Sequence, residues 1–192
     1  ISPNFSLMQK DKETDLIRVG YESPKTPSRI FEFNIKTKEK KLVKEQIIPS
    51  GHNRDDYIVE RLECEGHDGY FIPMTITRHR TTKLDGNANV LLYGYGSYGM
   101  SMYPTFSSSR LSLINRQIIW VTCHIRGGLE KGMAHWKAGK MLNKKNTFKD
   151  FISCAEYLIK KKYTNKKKII AYGGSAGGLL VGHVVNQIPN LL

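Results

Sequence analysis

The segment Gly173-Gly174-Ser175-Ala176-Gly177 holds one serine at G-x-S-x-G spacing, after the apolar run "IIAY" and before the apolar run "LLVG". A strand, a tight turn and a helix in that order are what lift a serine hydroxyl above a sheet edge as a nucleophile. Glycines two positions either side suit that turn, because side chains there would strike the neighbouring strand and helix. The helix that follows aims its N-terminal amides and dipole at the serine, where an oxyanion would develop. The other reading is a glycine turn that packs tightly or binds phosphate. Against it, the stretch lacks the lysine of a Walker A loop and does not match G-x-G-x-x-G. Two more glycine clusters follow apolar runs, "YGYGSYG" (93–99) and "HIRGGLEKG" (124–132). The first is placed to give an oxyanion donor from a tyrosine hydroxyl or a backbone amide, a plain turn being the alternative. In open α/β sheets the strand C-termini carry the site, so the three clusters should meet at one edge.

A serine needs a histidine to take its proton and a carboxylate to orient that histidine. In folds with this turn the chain order is Ser, then Asp or Glu, then His. After Ser175 the sequence "AGGLLVGHVVNQIPNLL" contains no carboxylate side chain. Its one histidine, His183, is eight residues along a helix, roughly 12 Å from Ser175 and out of hydrogen-bond reach. It reads as a helix-surface or core-edge residue. His52, His67, His79 and His135 fall in expected loops, turns or polar segments, without metal-ligand spacing. His124, at a strand end beside Arg126, is the upstream candidate for a base, although it breaks the chain order.

The elements that must position these residues read as α/β from about residue 57. "YIVERLECEG" and "YFIPMTITRH" form a hairpin with Asp68-Gly69 as its turn. "NVLLYGYG", "RQIIWVTCHI" and "KKIIAY" are buried strands, and residues 147–161 are a helix whose apolar positions Phe148, Phe151, Ile152, Ala155, Leu158 and Ile159 follow a 3-4 rhythm. Thr147 and Asp150 have the spacing of a capping box at its start. Alternating strands and helices imply a mostly parallel sheet with helices on both faces. Residues 1–50 differ: "DLIRVGYES" and "SRIFEFNIKT" are short alternating strands split by "PKTP", and "PSGHNRDD" (49–56) suits a linker.

The chain has 192 residues, a formal charge of +13 and 40% hydrophobic residues. No window reaches the 18 apolar residues of a membrane span. Three widely spaced cysteines, Cys64, Cys123 and Cys154, argue against a disulfide framework or zinc ribbon and for a reducing, cytoplasmic setting. The lysine runs "KTKEKKLVK" and "KKKYTNKKK" match no nucleic-acid-binding motif and lack aromatics at stacking spacing, so they read as solvated surface. An opening on Ile1 rather than Met suggests a fragment, a processed chain or an unusual start site.

"LLYGYGSYG", "HIRGGLEKG", "KKNTFKDFISCAEYLI" and "GGSAGGLLVG", in that order, resemble the prolyl oligopeptidase family of serine peptidases, in particular its oligopeptidase B branch. "RVGYESPKTPSRIFEFN" is similar to the last blade of that family's β-propeller. The resemblance implies residues 1–50 as a propeller-blade remnant and 51–192 as the N-terminal part of an α/β-hydrolase domain, ending after the helix that follows the nucleophile. It implies Ser175 as acylating nucleophile, with the Ala176 amide and the Tyr95 hydroxyl as oxyanion hole, and no metal or other cofactor. Substrates would be short peptides cut after Arg or Lys. A complementary chain would have to bring the missing Asp and His, and the chain alone would be inactive. Two departures stand out. Leu129 replaces a glycine of the family's R-G-G-G-E pattern, leaving the backbone less free to turn, and "MYPTF" (102–106) lacks acidic residues that would meet a basic substrate. A non-catalytic gene fragment or a basic nucleic-acid-binding module is the competing reading, and an esterase using the same turn is a third.

Overall fold

The computed structural model describes residues 4–7 and 13–191 and contains two sheets. The first is an antiparallel meander of β1 (Asn4–Leu7), β2 (Leu16–Ser23), β3 (Thr26–Asn34) and β4 (Lys40–Glu45). Ser23 pairs with Thr26, so the connection inside "PKTP" shrinks to Pro24 and Lys25. β4 is built from the lysine-rich run read as solvated surface. All six of its residues are exposed at the sheet edge, where lysines discourage further pairing and no burial alternation betrays a strand.

The second sheet begins with the expected hairpin, β5 (Tyr57–Glu65) and β6 (Phe71–His79), paired throughout from Tyr57↔His79 to Glu65↔Phe71. Gly69 sits at φ 75, the left-handed conformation that a turn glycine permits. Next come β7 (Val90–Gly94), β8 (Ile119–Cys123) and β9 (Ile169–Tyr172), in the spatial order β5-β6-β8-β7-β9. β8, β7 and β9 run parallel, whereas β6 joins β8 antiparallel, so the hairpin extends a parallel core into a mixed sheet. Residues Ile72–Thr77 of β6 are all buried, as befits a strand covered on both faces.

Helices cover both faces. α3 (Lys144–Lys160) and α4 (Ala176–Gln187) put Phe148, Phe151, Leu158, Leu180 and Val184 against Val90, Leu92, Ile119 and Val121. On the other face α1 (Ser108–Ile114) packs Leu111 and Ile114 on Trp120 and Tyr57. Each such side chain contributes about 1.5–3 kcal/mol by leaving water. A short helix, α2 (Met133–Lys137), lies between β8 and α3 in the chain.

The expected capping box is absent. α3 starts at Lys144, three residues early, and Thr147 and Asp150 are fully buried inside it. The Thr147 hydroxyl donates to the carbonyls of Arg126 (2.7 Å) and Gly139 (3.1 Å), and the Asp150 carboxylate accepts from Arg126. A buried carboxylate is costly without a charged donor, and Arg126 supplies one from another strand end. That tertiary pair, rather than local capping, fixes Asp150.

Candidate active site

β9 ends at Tyr172, and three residues later Ser175 adopts φ 54, ψ −121 as the residue preceding α4. This left-handed conformation is strained for any side chain other than glycine. A Cβ on Gly173 would lie 2.4 Å from the Gly177 carbonyl oxygen, and one on Gly177 would lie 2.8 Å from that of Gly94 in β7. Those two glycines are therefore required by backbone contacts. Gly174, with nothing within 4 Å, is not. Ser175 is exposed, and its carbonyl already accepts from Gly178 at 2.8 Å, closing the first turn of α4. The Ala176 amide is among the first-turn donors that a helix leaves without an intrahelical partner.

Tyr95 follows the last residue of β7 and is half-buried. Its Cδ2 is 3.7 Å from the position a Gly177 Cβ would take, so Tyr95 lies against the serine turn. The three glycine clusters do converge. A Cβ on Gly127 would lie 2.0 Å from the Gly96 oxygen, and Gly99 N donates to Gly127 O at 3.0 Å. Leu129 is not among the positive-φ residues, so the family glycine's freedom is not needed there. Its side chain packs instead at Gly99.

Beside these turns lies a polar core that local sequence signals did not announce. Arg126, only 3% exposed, donates to Asp150 through Nη2 at 2.6 Å and to Asp68 through Nη1 at 2.6 Å. Burial opposes the guanidinium charge, but the two carboxylates outweigh it and hold its pKa above the usual value. Arg126 in turn draws the Asp68 carboxyl below its ordinary range. His124 is buried, with Nε2 2.8 Å from Thr75 Oγ1 and Nδ1 3.6 Å from Glu130 Oε1, an ion-pair distance too long for a hydrogen bond. Glu130 also accepts from the Met102 amide at 2.8 Å. Burial raises its pKa, while His124 and that amide lower it by more, leaving it below the usual value.

The six histidines can now be placed. His135, expected in a polar segment, is completely buried in α2 with Nδ1 2.9 Å from the Tyr70 hydroxyl, and burial depresses its pKa. His183 stacks on Phe148 with centroids 4.1 Å apart, at the edge of the core as expected. His52 contacts the Lys25 carbonyl, His67 approaches Asp68, and His79 contacts Thr81. His124 follows β8 directly, and β7 separates β8 from β9, roughly 10 Å at the usual strand spacing. Among the described residues every imidazole is thus engaged away from Ser175. The three cysteines are free and buried, with Cys64 Sγ 3.6 Å from Cys154 Sγ. That neighbour, and burial after it, push the Cys64 thiol well above its ordinary value. Among the described residues no cluster of ligating side chains could hold a metal ion, and no helix is long and apolar enough to cross a membrane.

Residues 104–191 match the prolyl oligopeptidase family. They are a segment of that family. The whole chain resembles its members: it is 44% identical over 177 residues to dipeptidyl aminopeptidase BI of Pseudoxanthomonas mexicana, covering 92% of this chain and 24% of that protein. It is 40% identical over 185 residues to Protease 2 of Moraxella lacunata, covering 96% and 27%. The solved oligopeptidase B from Leishmania major superposes with a TM-score of 0.89 at 36% identity, over all of this chain and 28% of that one. The chain therefore spans about a quarter of the length of the curated relatives it matches. The five-stranded sheet with its helices is part of an α/β-hydrolase fold, and the antiparallel sheet before it is the remnant of a propeller blade.

Proposed function

We propose that this chain carries the nucleophile portion of a serine-type oligopeptidase of the oligopeptidase B kind, cleaving short peptides after Arg or Lys. Ser175 Oγ attacks the scissile carbonyl carbon, and its proton passes to a histidine held by a carboxylate, both outside this chain. The Ala176 amide and the Tyr95 hydroxyl hold the oxyanion. The C–N bond breaks, the amine leaves with the proton, and water then hydrolyses the acyl-serine. The observation that carries the reading is the strained backbone of Ser175, set between Gly173 and Gly177, which tolerate no side chain, with Tyr95 against the same turn. Removing one oxyanion donor typically costs 10²–10³ in kcat.

The same proposal takes residues 1–50 and 51–192 as parts of two domains and a cytoplasmic location, which the free, buried thiols support. It also makes the chain inactive alone, because every described histidine is engaged elsewhere. The test is intact-mass detection of fluorophosphonate labelling, with Ser175→Ala as control. It is applied to the chain alone and to a chimaera in which the chain replaces the matching segment of Moraxella lacunata Protease 2. The expected result is no adduct on the chain and a single adduct on the chimaera that is lost in Ser175→Ala. Labelling that survives Ser175→Ala overturns the assignment. A substrate panel with Arg, Lys, Pro and dipeptide-releasing peptides tests the specificity, since a 44% identical relative is named a dipeptidyl aminopeptidase.

A further inference from the structure

Lys144 opens α3 with Lys145 beside it, and no acidic residue lies in that first turn. A cation at the positive end of a helix is unfavourably placed. The Lys144 side chain is also half-buried, and desolvation lowers its pKa. Within α3 the ammonium meets the Phe148 ring at 5.8 Å, a distant contact that offsets little of either cost. The offset comes from the turn after β7, where Nζ donates to the Gly96 carbonyl at 2.6 Å and to Ser97 Oγ at 2.7 Å. Charged donors make hydrogen bonds roughly twice as strong as neutral ones.

The contact falls one residue beyond Tyr95. Gly96 is at φ 64, and a Cβ there would lie 2.4 Å from Thr147 Cγ2 of α3 and 2.8 Å from Ile125 Cγ1. The Gly96 carbonyl is thus met both by the Gly127 backbone and by the Lys144 ammonium. We propose that Lys144 is a positioning residue: its ammonium fixes the Gly96–Ser97 peptide and so holds the Tyr95 hydroxyl toward the oxyanion. This rests on the assignment of Tyr95 given above.

The test uses the Protease 2 chimaera. Lys144→Met is expected to lower kcat roughly tenfold or more with KM unchanged, because small misplacements of a catalytic group are expensive. Lys144→Arg, which keeps a charged donor, should recover most of that loss. In a Tyr95→Phe background Lys144→Met should cost less than about twofold, since the group it positions is gone. Hydrogen exchange supplies a readout independent of turnover. The Gly99 and Met100 amides, which donate to Gly127 O and Ser97 O at 3.0 Å each, should exchange about tenfold faster in Lys144→Met. Unchanged exchange overturns the clamp. An equal kcat loss in both backgrounds overturns the claim that Lys144 acts through Tyr95. If Tyr95→Phe alone leaves kcat intact while Ser175→Ala abolishes labelling, the oxyanion assignment itself fails and takes the catalytic role of Lys144 with it.

Discussion

Thr75 has what Ser175 lacks, and lacks what Ser175 has. The Thr75 hydroxyl lies 2.8 Å from His124 Nε2, and His124 Nδ1 faces Glu130 at 3.6 Å, so a hydroxyl, a base and an acid stand in order. Yet Thr75 is 3% exposed within a regular strand, with no turn behind it to present an oxyanion donor. Ser175 is exposed on a strained turn at a helix N-terminus, and among the described residues each imidazole has its contacts elsewhere. The contrast separates two requirements that residue lists merge. Side chains within hydrogen-bond reach make a polar network, and only access with a preorganised oxyanion site makes it reactive.

The sharpest way to break this comparison is to ask which region the fold depends on. Arg126→Met strands Asp150 as an unpaired buried charge and should destabilise by about 3–5 kcal/mol in urea unfolding. Ser175→Ala, at an exposed position, should stay within about 0.5 kcal/mol. Equal effects would remove the distinction between a structural core and a functional turn. Within the turn, Gly177→Ala pushes a methyl to 2.8 Å from the Gly94 oxygen and should cost roughly 1–3 kcal/mol, together with fluorophosphonate labelling of the chimaera. Gly174→Ala meets nothing within 4 Å and should remain within about 0.5 kcal/mol.

Thr75→Val should cost about 1–3 kcal/mol by leaving His124 Nε2 unpaired, without altering labelling at Ser175. A labelling change would tie the two regions together. A more gradual effect is in pH. The pKa of His135 is depressed by burial, so the unfolded chain takes up its proton first. Stability is therefore full above the ordinary histidine pKa of about 6.5 and falls as pH drops below it, by up to about 1.4 kcal/mol per pH unit. Asp68 and Glu130, whose pKa values are held low, keep their contributions through that window and lose them only at more acid pH. Urea midpoints unchanged between pH 7.5 and 5.5 would contradict the burial of a neutral His135.

What the sequence made legible was local. Gly173-Gly174-Ser175 is contiguous, the Asp68-Gly69 turn joins neighbouring strands, and the apolar rhythm of α3 repeats every turn, so each could be read from a few residues. What stayed hidden depends on partners far along the chain. Asp150 looked like a cap because its donor, Arg126, lies 24 positions away, and His135 looked solvated because Tyr70 is 65 positions away. Lys144 had no local mark at all, since a lysine in a lysine-rich stretch reads as surface until the Gly96 carbonyl is seen to face it. β4 escaped for the opposite reason: an exposed edge strand made of lysines has no buried side to announce it.

The strand order also has a consequence in time. β7 lies between β8 and β9 in space but precedes both in the chain, with Ile169 coming 75 positions after Gly94. At ribosomal speeds of about 5–20 residues per second, the strand that leads into Tyr95 waits roughly 4–15 s for its second neighbour. During that interval "VLLYG" presents an unpaired apolar edge. Slower elongation between codons 95 and 169 should lengthen the period in which the nascent chain needs a chaperone, so synonymous changes in that stretch would alter yield without altering a single contact.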